Sequence, residues 1–226
     1  MFRKLDPLVP FDYFAAEPDA QLETMRTLKR DYGISRFLIL GPGCRTHITG
    51  YPTLEDYEHI GEAVKHINDV LGGEGVVCGW WCQPSLRCGD SKTFQHMTSL
   101  DGSLLPHQMC PLDAGFATDL LRKIRRVVEI AEPSLMQFED DFELSSAGGN
   151  GCFCDLHLAE FSRRAGRFYS HEELSEIFGA VTDESIRLRK LFAEMSRDTL
   201  ASFAAKIRSV VDEVSPETRI CQCQPG

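Results

Sequence analysis

Five apolar runs of strand length punctuate the chain: LVPFDYF at 8–14, RFLILGPG at 36–43, GVVCGWWC at 75–82, LMQFEDD at 135–141 and RICQCQPG at 219–226. Helix-length segments with apolar residues at helical spacing separate them. This alternation constrains the fold more than any other feature, because it is the pattern of a parallel sheet wrapped by its own crossover helices. Pro18 opens the first helix, which carries Leu22, Met25 and Leu28 on one face, and Gly33 ends it. TLED at 53–56 resembles a capping box and starts a second, with Leu54, Tyr57, Ile60, Val64, Ile67 and Leu71 inward. A third, from about Ala114 to Ala131, shows Phe116, Leu120, Ile124, Val127 and Val128 at helical spacing, and Pro133 ends it. Short helices from Asp155 and His171 precede a long one over about Asp183 to Val214, with Ile186, Phe192, Met195, Phe203, Ile207 and Val210 inward. The polar stretch from 83 to about 112 is too long for a plain connection and is expected to be functional.

Five β-α units whose long loops all follow strands favour a (β/α)8 TIM barrel over a doubly wound sheet. No glycine-rich phosphate fingerprint follows the first strand, which lowers the dinucleotide-binding alternative. An eight-fold barrel needs about 250 residues, whereas this chain has 226 and reaches a fifth strand at its end. Residues 1–226 are therefore expected to be the N-terminal part of one barrel domain, covering about five of the eight units.

Charge and cysteine usage narrow the function classes. The net charge of −10 is spread along the chain, and the basic residues fall mostly on exposed helix faces, so nucleic acid is not expected as a partner. No window approaches the roughly 18 apolar residues of a membrane span, and MFRKLDPLVPFDYF has no continuous apolar stretch of signal-peptide length, so a cytoplasmic protein with no membrane partner is expected. Nine cysteines, at 44, 78, 82, 88, 110, 152, 154, 221 and 223, make an odd total in a chain too large to need disulfide staples. Reduced thiols, some of them metal ligands, fit that count.

Two features carry chemistry. LMQFEDDF places Glu139, Asp140 and Asp141 at the end of a strand, where a barrel has its active-site mouth. Alternation sends Glu139 and Asp141 to one side and Asp140 to the other. Crowding and partial burial would keep one of them protonated near neutral pH, as a general acid requires; a solvated strand end or ion pairs with neighbouring cations is the plainer account. Cys152, Cys154 and His157 then form C-x-C-x-x-H, suited to thiolate and imidazole ligands on one ion. A tetrahedral zinc site needs a fourth ligand, and Cys110, in the loop after the third strand, is the choice. Buried free cysteines are the alternative.

MQFEDDFEL, GCFCDLHLAEF and CPLDAGFATDLLRKI together resemble the barrel domain of the family 42 β-galactosidases and their clan A relatives. The resemblance covers about 50 residues, an acidic motif and a zinc motif split between two loops, with a compatible strand order elsewhere. It implies a retaining glycosidase acting on a carbohydrate, with a structural zinc ion. In that family the fourth strand ends in Asp-Asn-Glu, whose Glu is the acid/base, and a Cys-Pro motif and a C-x-C-x-x-C motif hold zinc. Glu139, Asp140 and Asp141 fall on the first motif, Cys110 with Pro111 on the second, and Cys152, Cys154 and His157 on the third. Asp141 thus stands where the family has Glu and is one methylene shorter. Asp140 replaces an amide donor, and His107 and Gln108 stand near the place of a family arginine. Cys₃His is a sound zinc set, and four protein ligands leave no open position for water, so the ion is expected to be structural. The family's nucleophile comes from the seventh strand, expected beyond residue 226.

Trp80 and Trp81 close the third strand. One of them is expected to stack on a sugar and the other to pack inward. Arg45 and His47 follow the GPG turn and could bind a sugar hydroxyl or carboxylate, whereas Cys221 and Cys223 read as core. Asp141 as acid/base, with Glu139 and Asp140, Trp80 or Trp81, and Arg45 on the substrate, is the leading reading; a homo-oligomer is open for the full-length protein. Its rivals are a non-catalytic carbohydrate-binding barrel and a metal-dependent hydrolase.

Overall fold

The computed structural model describes residues 7–12, 17–43, 50–89, 91–140, 142–144 and 151–223. Strands β1 (Leu8–Asp12), β2 (Arg36–Gly41), β3 (Val77–Cys82), β6 (Leu135–Phe138) and β7 (Arg219–Gln222) form one parallel sheet in the order β1-β2-β3-β6-β7. Helices α1 (Pro18–Tyr32), α2 (Leu54–Leu71) and α3 (Ala114–Ala131) cross between them, and α4 (Asp155–Ala165), α5 (His171–Gly179) and α6 (Asp183–Val214) fill the last crossover. Strands laid down in chain order by right-handed crossovers put their helices on one face. A doubly wound sheet would reverse direction at a switch point, and this order contains no reversal. The fold is α/β with a parallel sheet. Closure into an eight-stranded barrel is not seen among the described residues. No helix among them is long and apolar enough to cross a membrane.

Local chemistry sets the element ends. Gly33 takes φ of 71° and its N–H bonds Lys29 O at 2.9 Å, while Ile34 N–H reaches Leu28 O, closing α1 with a left-handed turn that suits glycine. The capping box at Thr53 forms with Asp56 as its reciprocal partner: Thr53 N–H to Asp56 Oδ2 is 2.7 Å and Asp56 N–H to Thr53 Oγ1 is 3.2 Å. Asp113 caps α3 through Gly115 and Phe116 N–H, and also accepts Gln95 N–H at 2.6 Å.

The main core lies between sheet and helices. Phe37, Ile39, Cys78, Trp80, Cys82, Met136 and Phe138 meet Val64, Ile67, Phe116, Ile124, Val127 and Phe203 there. The alternating positions, Leu38, Leu40, Gly79, Trp81 and Gln137, lie on the other face, where Leu40, Trp81 and Gln137 are only half-buried. Gly79 has no room for a side chain, since a methyl group there would run into the Leu135 carbonyl and Leu38. A second core of Phe153, Leu158, Phe161, Tyr169, Leu174, Leu188, Phe192 and Met195 sits among α4, α5 and the first half of α6.

Three expectations need correction. The stretch from 83 to 112 contains a hairpin, β4 (His96–Thr98) with β5 (Leu104–Met109). Ile186 is 56% exposed and Val210 half-buried, because the buried stripe of α6 runs through Ser185, Leu188 and Val211, one or two positions away. Cys221 and Cys223 are half-buried instead of core. They flank the Gln137 amide, whose Nε2 donates to Cys223 Sγ at 2.9 Å while the Cys221 thiol donates to Oε1 at 3.6 Å.

A candidate metal centre beside an acidic strand end

Cys110 follows β5 directly, with its N–H on Gln95 O at 2.8 Å. Cys152 and Cys154 lie on the extended segment that enters α4. Cys154 is the N-cap of that helix, with φ −62° and ψ 166°, yet its side chain makes no capping bond. Its sulfur turns instead toward Cys110 and toward His157, three residues on and therefore on the same side of the first turn. The connections that follow β3 and β6 meet because those strands are neighbours, paired at Trp80 and Met136.

The four ligand atoms lie within 4.8 Å of one another, and all four residues are buried. Cys110 Sγ is 3.2 Å from His157 Nδ1 and 3.5 Å from Cys154 Sγ, and Cys154 Sγ is 3.6 Å from His157 Nδ1. Zn–S bonds of about 2.3 Å and a Zn–N bond of about 2.0 Å in a tetrahedron separate donors by roughly 3.5–3.8 Å, so the spacing suits an ion of that size. This cluster could hold a metal ion. The electrostatics agree: hydrogen bonds from the Cys110 and Cys152 thiols push the Cys154 thiol far below its ordinary value, and its place at a helix N-terminus favours the anion. Hydrogen bonds to Cys152 and Cys154, with burial behind them, drive the Cys110 thiol far up; the Cys152 thiol is lowered by its hydrogen bond with Cys110 but raised by that with Cys154 and by burial, and ends at about 12. One negative charge is tolerated in this buried pocket and further thiolates repel it, a conflict that a cation would relieve. His157 Nε2 is buried without a hydrogen-bond partner among the described residues.

Glu139 and Asp140 follow β6, half-buried and exposed respectively. Asp141, Arg45 and His47 lie outside the described residues. Glu143, the fourth acid of FEDDFEL and one that sequence reasoning passed over, has its carboxyl raised by desolvation and then by the Asp140 charge. Of the two tryptophans, Trp80 is wholly buried on the helix side with its indole N–H on Gly41 O at 2.7 Å, which leaves it no surface to offer a ligand. Trp81 lies on the opposite face, half-buried, in a register row with Leu40 and Gln137. Its Nε1 is enclosed without a partner among the described residues. His107 holds φ of 69°, rare for a residue with a side chain, and its carbonyl accepts Cys88 N–H at 3.0 Å. His107 Nδ1 and Gln108 Oε1 are also buried and unpartnered among the described residues.

No protein-family model matches the chain, and no curated protein matches it. Among solved structures, the crystal structure of the α-galactosidase from Lactobacillus brevis is similar over 96% of this chain, at 13% identity and a TM-score of 0.49. The chain spans 27% of the length of that protein.

Proposed function

We propose that this chain is part of a retaining glycoside hydrolase-like barrel whose acid/base is Asp141 and whose buried cluster holds a structural zinc ion. The observation that carries the reading is the meeting of two motifs. The acidic run follows β6, and Cys110, Cys152, Cys154 and His157 converge in the connections after β3 and β6 that flank it. Thiolate and imidazole donors at tetrahedral spacing favour zinc over harder ions such as magnesium or calcium. When bound there, zinc supplies cross-linking of two loops and no catalytic water, because four protein ligands fill its shell.

In this reading the Asp141 carboxyl donates its proton to the glycosidic oxygen while a second carboxylate, about 5–5.5 Å away, attacks the anomeric carbon. Asp141, now ionised, then takes a proton from the water that releases the sugar. The attacking carboxylate belongs to a seventh strand in a longer protein that includes this chain. Trp81 offers its ring to a sugar face, and Glu139 and Asp140, with Arg45, orient hydroxyls. The acidic balance of the chain, net charge −10, favours a carbohydrate substrate over nucleic acid.

Asp141→Asn, made in the longer protein and assayed against a panel of aryl glycosides, is expected to lower kcat about 100-fold or more with zinc content unchanged. Full activity in that variant would remove Asp141 from the chemistry. The shorter reach of Asp compared with Glu favours one second reading, a carbohydrate-binding barrel without turnover. Saturable sugar binding, with no hydrolysis of any glycoside in the panel, would establish that instead.

A further inference from the structure

The metal cluster joins two cores. Cys110, Cys152 and Cys154 belong to the main core between sheet and helices, whereas Phe153, between two of the ligands, belongs to the second. Extended backbone makes this division, sending alternate side chains to opposite sides. Phe153 stacks on Phe192 of α6 at 4.3 Å between ring centroids, and its N–H bonds Thr98 O of β4 at 2.7 Å. Helices α4 and α5 pack chiefly on the first half of α6. An ion pair of 2.8 Å from Arg164 to Asp198 strengthens that packing. Among the described residues, this three-helix unit meets the hairpin side through the four-residue cluster, the Phe153 backbone bond and Leu100 at the edge of the second core, and α6 itself runs on into the main core at Phe203 and Ile207.

We propose that metal loading at Cys110, Cys152, Cys154 and His157 controls docking of the second core: with the ion bound, α4, α5 and the first half of α6 are locked to the β4–β5 hairpin, and without it they open as a unit while the sheet core stays folded. The proposal rests on the metal reading above and adds to it a conformational role. The physical reason is where the donors lie. Cys110 lies on the hairpin side, while Cys152, Cys154 and His157 lie on the segment that starts α4, so one ion bridges the two halves. Without a cation, only hydrogen bonds among Cys110, Cys154 and His157 cross that seam in place of the ion. Local opening of a unit with its own small core is an ordinary event in native proteins.

The test is hydrogen–deuterium exchange of the full chain, zinc-loaded and after chelation, with bound zinc counted in the same samples. Expected is one zinc per chain. Its removal should raise exchange about tenfold or more in peptides covering 151–179 and 183–196, with little change over 36–41, 77–82 and 114–131. Cys110→Ser, which alters nothing in α4, should reproduce the chelated pattern, and His157→Cys, which keeps four donors, should retain the protected one. If zinc binds but chelation changes exchange uniformly or not at all, the docking role is overturned and the metal site stands. If no zinc binds, the metal reading fails and the proposal fails with it. Should Cys110→Ser not fold, the chelation comparison on the unaltered chain decides alone.

Discussion

At the scale of single residues, Trp80 and Trp81 show how little adjacency in sequence says about environment. The pleat sends one to each face of β3. Trp80 is wholly enclosed, hydrogen-bonded to Gly41 O and edge-on to Tyr57 at 6.1 Å. Trp81 keeps part of its ring in the open beside Leu40 and Gln137. Trp80→Ala is therefore expected to destabilise the chain by about 3–5 kcal/mol in urea unfolding, and Trp81→Ala by less than half as much while weakening carbohydrate binding. Equal losses of stability would contradict the assignment of faces. That the two residues oppose each other is readable from the strand pattern. Which of them faces the helices depends on the packing of α2, and no local signal carries that. Lys123 is a similar case. Its charge suggests a solvated helix face, yet it is buried, with Nζ 2.6 Å from both Pro52 O and Asp119 Oδ2 and 3.9 Å from the centre of the Tyr51 ring. Burial pulls the Lys123 ammonium below its ordinary value, against the hydrogen bond it donates to Asp119. It pins the connection after β2 to α3.

Among elements, α4 combines an ordinary helix surface with an unusual start. Cys154 is its N-cap and His157 lies in its first turn, and its last turn carries Arg163 and Arg164, which both grip Glu160. Hydrogen bonds from those arginines hold the Glu160 carboxyl down at about 2, against an ordinary value of 4.5. A carboxyl depressed in the folded state contributes its stability above the unfolded value and loses it as pH falls through the folded one. The contribution should thus be complete above pH 4.5 and fade between 4.5 and 2. Comparing thermal stability of the parent and Glu160→Gln across pH 2 to 7 checks this: the gap between them should narrow as acid is added, and a gap independent of pH would rule out the pairing as its source. The hairpin was also within reach of sequence reasoning. Asp101-Gly102 in SLDGSLL is a turn signal, with φ of 84° at Gly102 and Ser99 N–H on Ser103 O at 2.9 Å. It was hidden because β4 is only three residues long and sits in a polar stretch.

Across the whole molecule, the strand order and the two cores matter most. β1 and β7 each have one strand neighbour among the described residues. Such edges offer unpaired backbone to another chain. A lysine in place of the exposed Gln222 of β7 should lower concentration-dependent light scattering, and unchanged scattering would show that association does not run through that edge. The sequence by itself determined the existence and order of the five parallel strands, the helices between them, the capping box at Thr53 and the four residues named as candidate ligands. All of these rest on local periodicity, turn chemistry or short ligand spacing. Only the tertiary structure decided that Cys110, more than forty positions from Cys152, lies at bonding distance from the other donors, because that depends on β3 and β6 being neighbours. It also decided that Cys221 and Cys223 line a half-open face, that Trp80 is core, and that α4 and α5 build a core of their own. Each is a matter of which surfaces meet, and contact between distant segments leaves no periodic trace in either of them.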